Sequence, residues 1–391
     1  MTNNTKSLEI YIHIPFCKSK CKYCDFLSVP TDDETKHEYV NALIAQIKSK
    51  SKELHSYNVD TLFIGGGTPS ILKADYIEEI MTTVRQHYNI FDNAEITIEC
   101  NPGTVTKEKL SAYRRCGINR ISFGLQSTDN KELKFLGRIH TYEEFLQSYN
   151  MARECGFDNI NIDLMSALPF QTVESYKESV LKVVKLDPEH ISAYSLIIEE
   201  STPISEWIEN ETREGHEVLP NEDDERTMYY LTKEILEQNG YHQYEISNFA
   251  KEGMECKHNI GYWKRKDYIG FGIGAASLVD NNRFGVVSEM DKYIDILKRY
   301  KDEELEEIYE NRETLTGEEQ MEEFMFLGLR MIEGVSRNSF KKIFNRDLDK
   351  VYGEIINKLV LGNLMESGGD TLRLTPRGID ISNRVLSEFL L

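Results

Sequence analysis

The chain has 391 residues and a formal net charge of −20, with 40% hydrophobic and 29% charged residues. This length suits one large domain with a smaller one, and the composition is typical of globular proteins. The acidity argues against a nucleic-acid partner, because that affinity comes mainly from neutralising phosphates. No apolar run is long enough to span a membrane and no signal-peptide pattern is present, so we expect a cytoplasmic protein without an integral membrane segment.

The first 200 residues alternate short apolar runs with longer amphipathic ones. Strands are predicted at 8–14, 61–64, 95–100, 118–123, 160–164 and 190–196. Helices are predicted between them at 35–54, 74–88, 107–116, 142–155 and 172–185. Strand–helix alternation with crossovers of this length indicates a parallel α/β sheet. Six such units fall short of the usual eight, so the predicted fold is α/β, a partial (β/α)6 barrel.

Three cysteines follow the first predicted strand closely: Cys17, Cys21 and Cys24, with the spacing CxxxCxxC. Three thiolates this close can hold one metal centre. The next cysteine is Cys100, whereas a structural zinc site usually needs a second pair of ligands. Three thiolates on a [4Fe–4S] cluster leave one iron open to a small chelating ligand. The spacing favours such a cluster, with zinc as the alternative.

In barrels of this kind, chemistry lies at the C-terminal ends of the strands. The glycine run 65–67 follows the second predicted strand, where its N–H groups could face a carboxylate or simply form a tight turn. Glu99 ends the third strand and could bind ribose hydroxyls or pair with an arginine. Gln126, Arg138 and Asp163 lie at further positions of the same rim. These polar groups could hold an adenosine or a methionine carboxylate.

The strict alternation of strands and helices stops in the segment 201–314. Its acid-rich run 199–226 and a second run at 302–307 are interpreted as solvated faces or loops, with a helix near 224–238. Aromatic and glycine residues without a clear period indicate an elaboration that forms a site. His258 lies there beside Asn259, Tyr262 and Trp263. It is either a buried histidine bonded to the backbone or an axial ligand of a haem, and the residues alone favour the first.

The last segment, 315–391, has a different pattern. Helices are predicted at 318–332, 336–344, 349–361 and 376–390, with a short strand at 371–374. This predicts a winged-helix-like module with nearly balanced charge, which argues against DNA reading. The predicted division of the chain is therefore 1–200 for the barrel, 201–314 for the elaboration and 315–391 for the module.

Together, these motifs resemble the radical S-adenosylmethionine (SAM) superfamily. The chain carries YIHIPFCxxxCxYC, GGGTP, ECNP, RISFGLQS, LGRIH, NIDLMSALP, HNIGYW and LTPRG. Within the superfamily it is similar to the oxygen-independent coproporphyrinogen III oxidases and their haem-chaperone relatives. The resemblance covers nearly the whole chain and implies that Cys17, Cys21 and Cys24 hold a [4Fe–4S] cluster, with SAM chelating the open iron.

The resemblance also implies the ligand contacts. Positions matching the contacts of the cluster-bound SAM are Tyr11, Gly66 and Glu99. Positions matching further SAM contacts are Gly67, Thr68, Gln126, Arg138 and Asp163. The HNxxYW motif of the haem-chaperone branch, which begins here at His258, is implicated in haem binding.

Two departures from the oxidases decide between the branches. Oxidases carry a further cysteine two residues after the third, where this chain has Phe26, and they carry a longer segment before the cysteines. Both departures favour the haem-chaperone branch, HemW. The implied function is to bind haem, a [4Fe–4S] cluster and SAM and to pass haem to acceptors such as a respiratory haem protein, with a reductase or flavodoxin-type electron donor. The alternatives are a coproporphyrinogen III oxidase and a zinc-binding, winged-helix regulator.

Overall fold

The computed structural model describes residues 6–299 and 305–391. Its strands are β1 (Lys6–Ile14), β2 (Tyr57–Gly66), β3 (Asn89–Cys100), β4 (Arg120–Gln126), β5 (Ile160–Ser166), β6 (His190–Ser195), β7 (His242–Gln243), β8 (Asn248–Ala250), β9 (Tyr268–Phe271), β10 (Ala276–Val279), β11 (Asn282–Val286), β12 (Tyr309–Thr314), β13 (Val335–Ser336), β14 (Met365–Gly368) and β15 (Thr371–Leu374). The first twelve form one sheet in the order β12-β11-β10-β9-β1-β2-β3-β4-β5-β6-β8-β7.

The helices connect and cover this sheet. They are α1 (Asp33–Lys50), α2 (Ala74–His87), α3 (Lys107–Arg115), α4 (Asn130–Phe135), α5 (Tyr142–Glu154), α6 (Val173–Val184), α7 (Pro203–Arg213), α8 (Glu222–Gln238), α9 (Lys257–Trp263), α10 (Met290–Arg299), α11 (Gly317–Gly328), α12 (Arg337–Phe344), α13 (Leu348–Leu361), α14 (Pro376–Asp380) and α15 (Ser382–Ser387). Among the described helices, none has both the length and the apolar character needed to cross a membrane.

The six predicted barrel strands are confirmed: β1 to β6 pair in parallel and in chain order. The predicted helices between them are present, and the short helix α4 is an addition. Strands β2 and β3 begin earlier than predicted, at Tyr57 and Asn89, because their first residues are partly polar and hide the apolar pattern. The α/β, radical-SAM-like partial barrel is therefore the observed core.

The inward face of the barrel is polar, because side chains alternate between the two faces of a strand. On β1, the apolar side chains Leu8, Ile10, Ile12 and Ile14 are fully buried in the main hydrophobic core. The residues between them on β1, and their counterparts on the next strands, are Glu9, Tyr11, His13, Thr61, Phe63, Glu95, Thr97, Glu99, Arg120 and Ser122. Charged and aromatic groups thus fill the space that small barrels usually fill with aliphatic layers.

The segment 201–314 extends the sheet at both edges. Strand β8 pairs antiparallel with β6, and β7 pairs with β8. At the other edge, β9 pairs in parallel with β1, and β10 to β12 follow in antiparallel order. Strand β9 was not predicted, because it is only four residues long and adjoins a glycine-rich turn.

The interpretation of 199–226 as a solvated face or loop is confirmed for its acidic side chains, most of which are exposed, although most of the run is helical. It contains α7 and the beginning of α8, and Ile204 of α7 is fully buried. The acidic residues lie on the exposed side of these helices and obscured the apolar stripe. Of the second acidic run, residues 302–304 lie outside the described part of the chain.

The C-terminal segment forms its own small core around α11 to α15 and a three-stranded sheet, β13-β15-β14. The predicted helix 376–390 is two shorter helices, because Ile381 leaves the helical conformation with φ −121° and ψ 34°. The predicted helix 318–332 ends earlier, at Gly328, and Met331 instead bridges to Glu245. The winged-helix-like character of the module is otherwise confirmed.

Buried charges fasten this module to the extended sheet. Glu323 of α11 is 4% exposed and accepts a hydrogen bond from Arg265 Nε at 2.6 Å and another from Arg283. Nearby, the Arg330 guanidinium lies 4.4 Å from the ring centroid of Trp263 at the end of α9. The module therefore contacts the same short helix that carries the HNIGYW motif.

Replacing Glu323 by alanine should loosen this contact. The change leaves the Arg265 side chain, which is 12% exposed, without its carboxylate partner. We expect the free energy of unfolding to fall by about 3 kcal/mol. This value is at the low end for a broken buried ion pair, because Arg283, the second partner of Glu323, is partly exposed. The control is Glu318→Ala, an exposed position on the same helix. Urea unfolding of both variants measures the difference, and equal stability would contradict the role given to Glu323.

Candidate functional site

The cysteine loop is fixed by backbone hydrogen bonds to three other parts of the chain. Cys17 N–H donates to Val29 O at 3.2 Å, just beyond the loop. Lys22 N–H donates to Leu136 O at 3.0 Å, and Ile204 N–H donates to Lys22 O at 3.0 Å. The last two contacts come from the end of α4 and the beginning of α7. Both helices escaped prediction, so this support of the loop could not be anticipated.

The three thiols suit a cluster better than a single ion. All three cysteines line one cavity of about 360 Å³ at the C-terminal end of the strands. One zinc ion with Zn–S bonds of about 2.3 Å would bring its ligand atoms within about 4 Å of one another. Among the described residues, the only trio of potential ligands within 4.8 Å is Glu211, Glu214 and His216, on the exposed end of α7. The three cysteine donors therefore lie farther apart than a single ion requires, which leaves room for a larger, multi-iron centre.

Ten of the twelve candidate residues line this cavity, which we call the cluster cavity. They are Cys17, Cys21, Cys24, Gly66, Gly67, Thr68, Glu99, Gln126, Arg138 and Asp163. Tyr11 and His258 line a second cavity of about 700 Å³, the inner cavity. The two cavities share a wall formed by Phe26, Gly66, Glu99, Ser122, Asp163, Ser192 and Asn259. The structure thus brings all the candidates together around two adjoining spaces.

The glycine run does not present free amides. Gly66 N–H donates to Glu99 Oε2 at 3.1 Å, and Gly67 N–H donates to Ile14 O at 2.9 Å. The expectation that these two amides face a ligand carboxylate is therefore wrong for this conformation. Gly66 has φ +108°, and a Cβ there would lie 2.5 Å from the His13 ring. The glycines allow close packing of β2 against β1 and the start of the cysteine loop.

Two acids of the shared wall have raised pKa values. Burial, with repulsion from Asp163 as the second cause, raises the pKa of Glu99 to about 8. Burial also raises the pKa of Asp163 to about 6, although Asn161 Nδ2 donates to its carboxylate at 2.7 Å. No described residue forms an ion pair with Glu99, so the suggested pairing with an arginine is absent, although the more distant Arg120 partly opposes the rise in its pKa. Both carboxyl groups can accept a cationic or hydroxyl-bearing ligand.

Arg138 and Gln126 are held firmly at the rim. The Arg138 guanidinium donates to Asn101 Oδ1, to Gly124 O and, at 3.5 Å, to Cys21 Sγ. Gln126 adopts φ +73° and accepts a hydrogen bond from Tyr194 Oη at 3.0 Å. The Arg138 side chain thus connects the rim of β4 to the cysteine loop.

His258 is tied into the barrel by side chains. Its Nδ1 lies 2.7 Å from Thr61 Oγ1, and its Nε2 lies 3.1 Å from Tyr262 Oη. The ring stacks on Phe63 with centroids 5.2 Å apart. Burial, helped by the positive charge of Arg120, lowers the pKa of His258 to about 3, so the imidazole is neutral. The histidine bonds to side chains instead of the backbone, and its role as a haem ligand stays a prediction.

A buried carboxylate positions the helix that carries His258. Glu95 of β3 is 6% exposed and accepts hydrogen bonds from Lys257 N–H at 3.1 Å and His258 N–H at 3.2 Å. Glu95 and the cavity residue Arg120 were missed by the sequence analysis. The period-two alternation of β3 and β4 was the available signal, because it places Glu95 with Glu99 and Arg120 with Ser122.

Comparison with known proteins identifies the family. The radical SAM superfamily model matches residues 11–183, and the HemN C-terminal domain model matches residues 315–381. The chain is 37% identical to heme chaperone HemW of Bacillus subtilis (strain 168), covering 97% of this chain and 98% of the relative. It is 36% identical to heme chaperone HemW of Lactococcus lactis, covering 99% of this chain and 98% of the relative. The chain belongs to the HemW family of the radical SAM superfamily.

A solved structure confirms the fold of this HemW-family chain. The radical SAM enzyme coproporphyrinogen III oxidase HemN from Escherichia coli superposes with a TM-score of 0.84, at 21% identity, covering 100% of this chain and 91% of that one. At this identity the likeness concerns the fold alone. The scaffold shared by both branches is therefore the barrel with its C-terminal module.

Phe26 borders both cavities. Its side chain is 61% exposed and lines both the cluster cavity and the inner cavity. An aromatic ring at this boundary offers a flat apolar surface to a ligand on either side. The two branches are expected from the sequence to differ at this position, and that expectation stays a prediction.

The raised pKa of Glu99 predicts a pH effect on stability in the metal- and SAM-free protein. The folded state keeps the proton up to about pH 8, whereas the unfolded state releases it near the ordinary value of 4.5. Stability should therefore fall as pH rises between these two values, and Glu99→Gln should remove that part of the fall.

Urea unfolding of wild type and Glu99→Gln across this range measures the effect, with the exposed Glu108→Gln as control. The free energy of unfolding of Glu99→Gln, relative to that of wild type, should rise as the pH rises. A difference that is constant with pH would show that the carboxyl titrates normally.

Proposed function

We propose that the protein is a haem chaperone that binds haem in the inner cavity and passes it to acceptor proteins. The observation that carries this proposal is the position of α9: its HNIGYW motif lines a 700 Å³ cavity that shares a wall with the cysteine site. The names of the HemW relatives, which match over nearly their whole length, support the same function.

The cluster cavity would hold the [4Fe–4S] cluster and SAM. Cys17, Cys21 and Cys24 would bind the cluster through their thiolates. The residues proposed to contact SAM are Tyr11, Gly66, Gly67, Thr68, Glu99, Gln126, Arg138 and Asp163. The bound cluster and SAM supply one-electron chemistry, and the chain's own contribution is to orient SAM by these polar groups and to surround it with protein. Because the pKa of Glu99 is raised to about 8, its protonation would depend on whether an ammonium or a hydroxyl group of the ligand contacts it.

The inner cavity has walls suited to a flat macrocycle. Its aromatic lining residues are Tyr11, Phe26, Phe63, Tyr262, Trp263 and Tyr268. Such rings stack on a conjugated ligand, and the volume lies within the usual range of cofactor sites. If Nε2 of His258 is the axial ligand, it must give up its contact with Tyr262 Oη. Because the imidazole is neutral, no proton would have to leave His258 before it binds iron.

The remaining parts of the proposal rest on the family resemblance. We place the protein in the cytoplasm, with a reductase or flavodoxin-type protein as electron donor and a respiratory haem protein as one acceptor. We also keep the division into barrel (1–200), elaboration (201–314) and C-terminal module (315–391) as a proposal. The coproporphyrinogen oxidase alternative is the weaker one, because the Bacillus subtilis and Lactococcus lactis relatives, which match over nearly the full chain, are named heme chaperones.

Haem titration of two neighbouring variants tests the role of His258. His258→Ala removes the proposed iron ligand, and we expect at least about tenfold weaker binding together with loss of the histidine-ligand absorption bands. Tyr262→Phe removes only the competing hydroxyl, so it should bind haem as tightly as wild type or more tightly.

Absorbance titration under anaerobic conditions gives both affinity and ligation. Unchanged binding by His258→Ala would exclude His258 as the ligand. Equal losses in both variants would indicate that the hydrogen bond between them matters only for folding of α9.

A further inference from the structure

Arg120 is a buried cation that lines the inner cavity, and its guanidinium is only partly satisfied. It is the first residue of β4, is 2% exposed and lines the inner cavity together with Ser122. Its Nε has no hydrogen-bond partner among the described residues. No carboxylate in residues 6–299 or 305–391 forms an ion pair with its guanidinium, although burial lowers the pKa of Arg120 less than nearby groups such as Cys256, Glu95 and Asp163 raise it. Burying an unpaired charge costs several kcal/mol, so such a group normally has a partner.

Two nearby acids partly offset the charge of Arg120. The Glu95 carboxylate accepts the amides of Lys257 and His258, and the Asp163 carboxylate accepts Asn161 Nδ2 at 2.7 Å. Both acids favour the charged form of Arg120 from a distance. A direct bond from the guanidinium to a carboxylate is left to a molecule in the cavity.

We propose that Arg120 forms a subsite for a carboxylate of the molecule that occupies the inner cavity. A guanidinium presents its donors as a planar fork that matches a carboxylate bidentately. This inference rests on the proposed function, in which the occupant is haem and the carboxylate is one of its propionates. Haem would then lie with a propionate edge toward the start of β4.

SAM also carries a carboxylate, and some of its proposed contacts, Tyr11, Glu99 and Asp163, line the inner cavity with Arg120. The family resemblance, however, implies that the SAM carboxylate helps to chelate the open iron at the cysteine loop. The rim residue Gln126 is six residues beyond Arg120 on β4, about 20 Å along an extended strand. A carboxylate bound at the rim would therefore lie far from Arg120. The geometry favours a haem propionate, and the experiment distinguishes the two sources.

The test is an anaerobic titration with haem, haem dimethyl ester and SAM. The ester lacks both carboxylate charges but keeps the ring and iron. Wild type should bind haem about 10- to 100-fold more tightly than the ester, the range expected for one charged hydrogen-bonded contact. Arg120→Gln should bind haem and ester alike, and Arg120→Lys should restore part of the preference. SAM affinity should be unchanged in both variants.

The control is Arg115→Gln, at an exposed arginine of α3 that pairs with Glu78; it should keep the wild-type preference for haem. Equal binding of haem and ester by wild type would overturn the subsite, even if Arg120→Gln failed to fold. Weaker SAM binding with an unchanged haem preference would overturn it in favour of a SAM carboxylate. No haem binding by wild type would overturn the proposed function itself, which distinguishes the two failures.

Discussion

The structure depends on a barrel whose inward face is charged. Alternation along the strands buries aliphatic side chains against the helices and leaves acids and arginines inside. Charges in such a place are costly unless they are paired, neutralised or given a ligand. Glu95 is satisfied by the amides of α9, whereas burial raises the pKa of Glu9 to about 9 and of Glu99 to about 8, so both hold a proton at neutral pH. Arg120 Nε has no hydrogen-bond partner in the described residues.

This arrangement divides one barrel into two working spaces. The cluster cavity lies at the cysteine loop, and the inner cavity lies against α9. Phe26 and Glu99 belong to both, so a ligand in one space contacts residues that line the other. Gly261 shows how tightly α9 fits, because a Cβ there would lie 1.8 Å from Glu9 Oε1. Only glycine allows the helix to approach β1 so closely.

The sequence predicted the parts of the fold that follow from local pattern. Alternating apolar runs located the six parallel strands, and the cysteine spacing located the metal centre. Strand β9 and helix α7 were missed, because the first is short and the second is masked by acidic residues. Both are fixed by long-range contacts, β9 by pairing with β1 and α7 by bonding to the cysteine loop.

The candidate site, like the fold, was only partly predictable from the sequence. The residues themselves were found from their motifs, and the structure gathers them around two adjoining cavities. Their partners were not predictable. The amides of Gly66 and Gly67 donate hydrogen bonds to Glu99 and Ile14, and the His258 ring is hydrogen-bonded to Thr61 and Tyr262. These hydrogen-bond partners depend on which side chains the closed barrel brings together, and a local sequence pattern cannot predict them.

The central claim is that one chain holds a [4Fe–4S] cluster and haem in separate, adjoining cavities. Iron and sulfide content, measured anaerobically before and after haem titration of the same sample, tests it most directly. The account predicts that haem binds while the sulfide and the cluster iron stay bound. Haem binding that displaces the cluster, or protein that contains zinc and no sulfide, would contradict it.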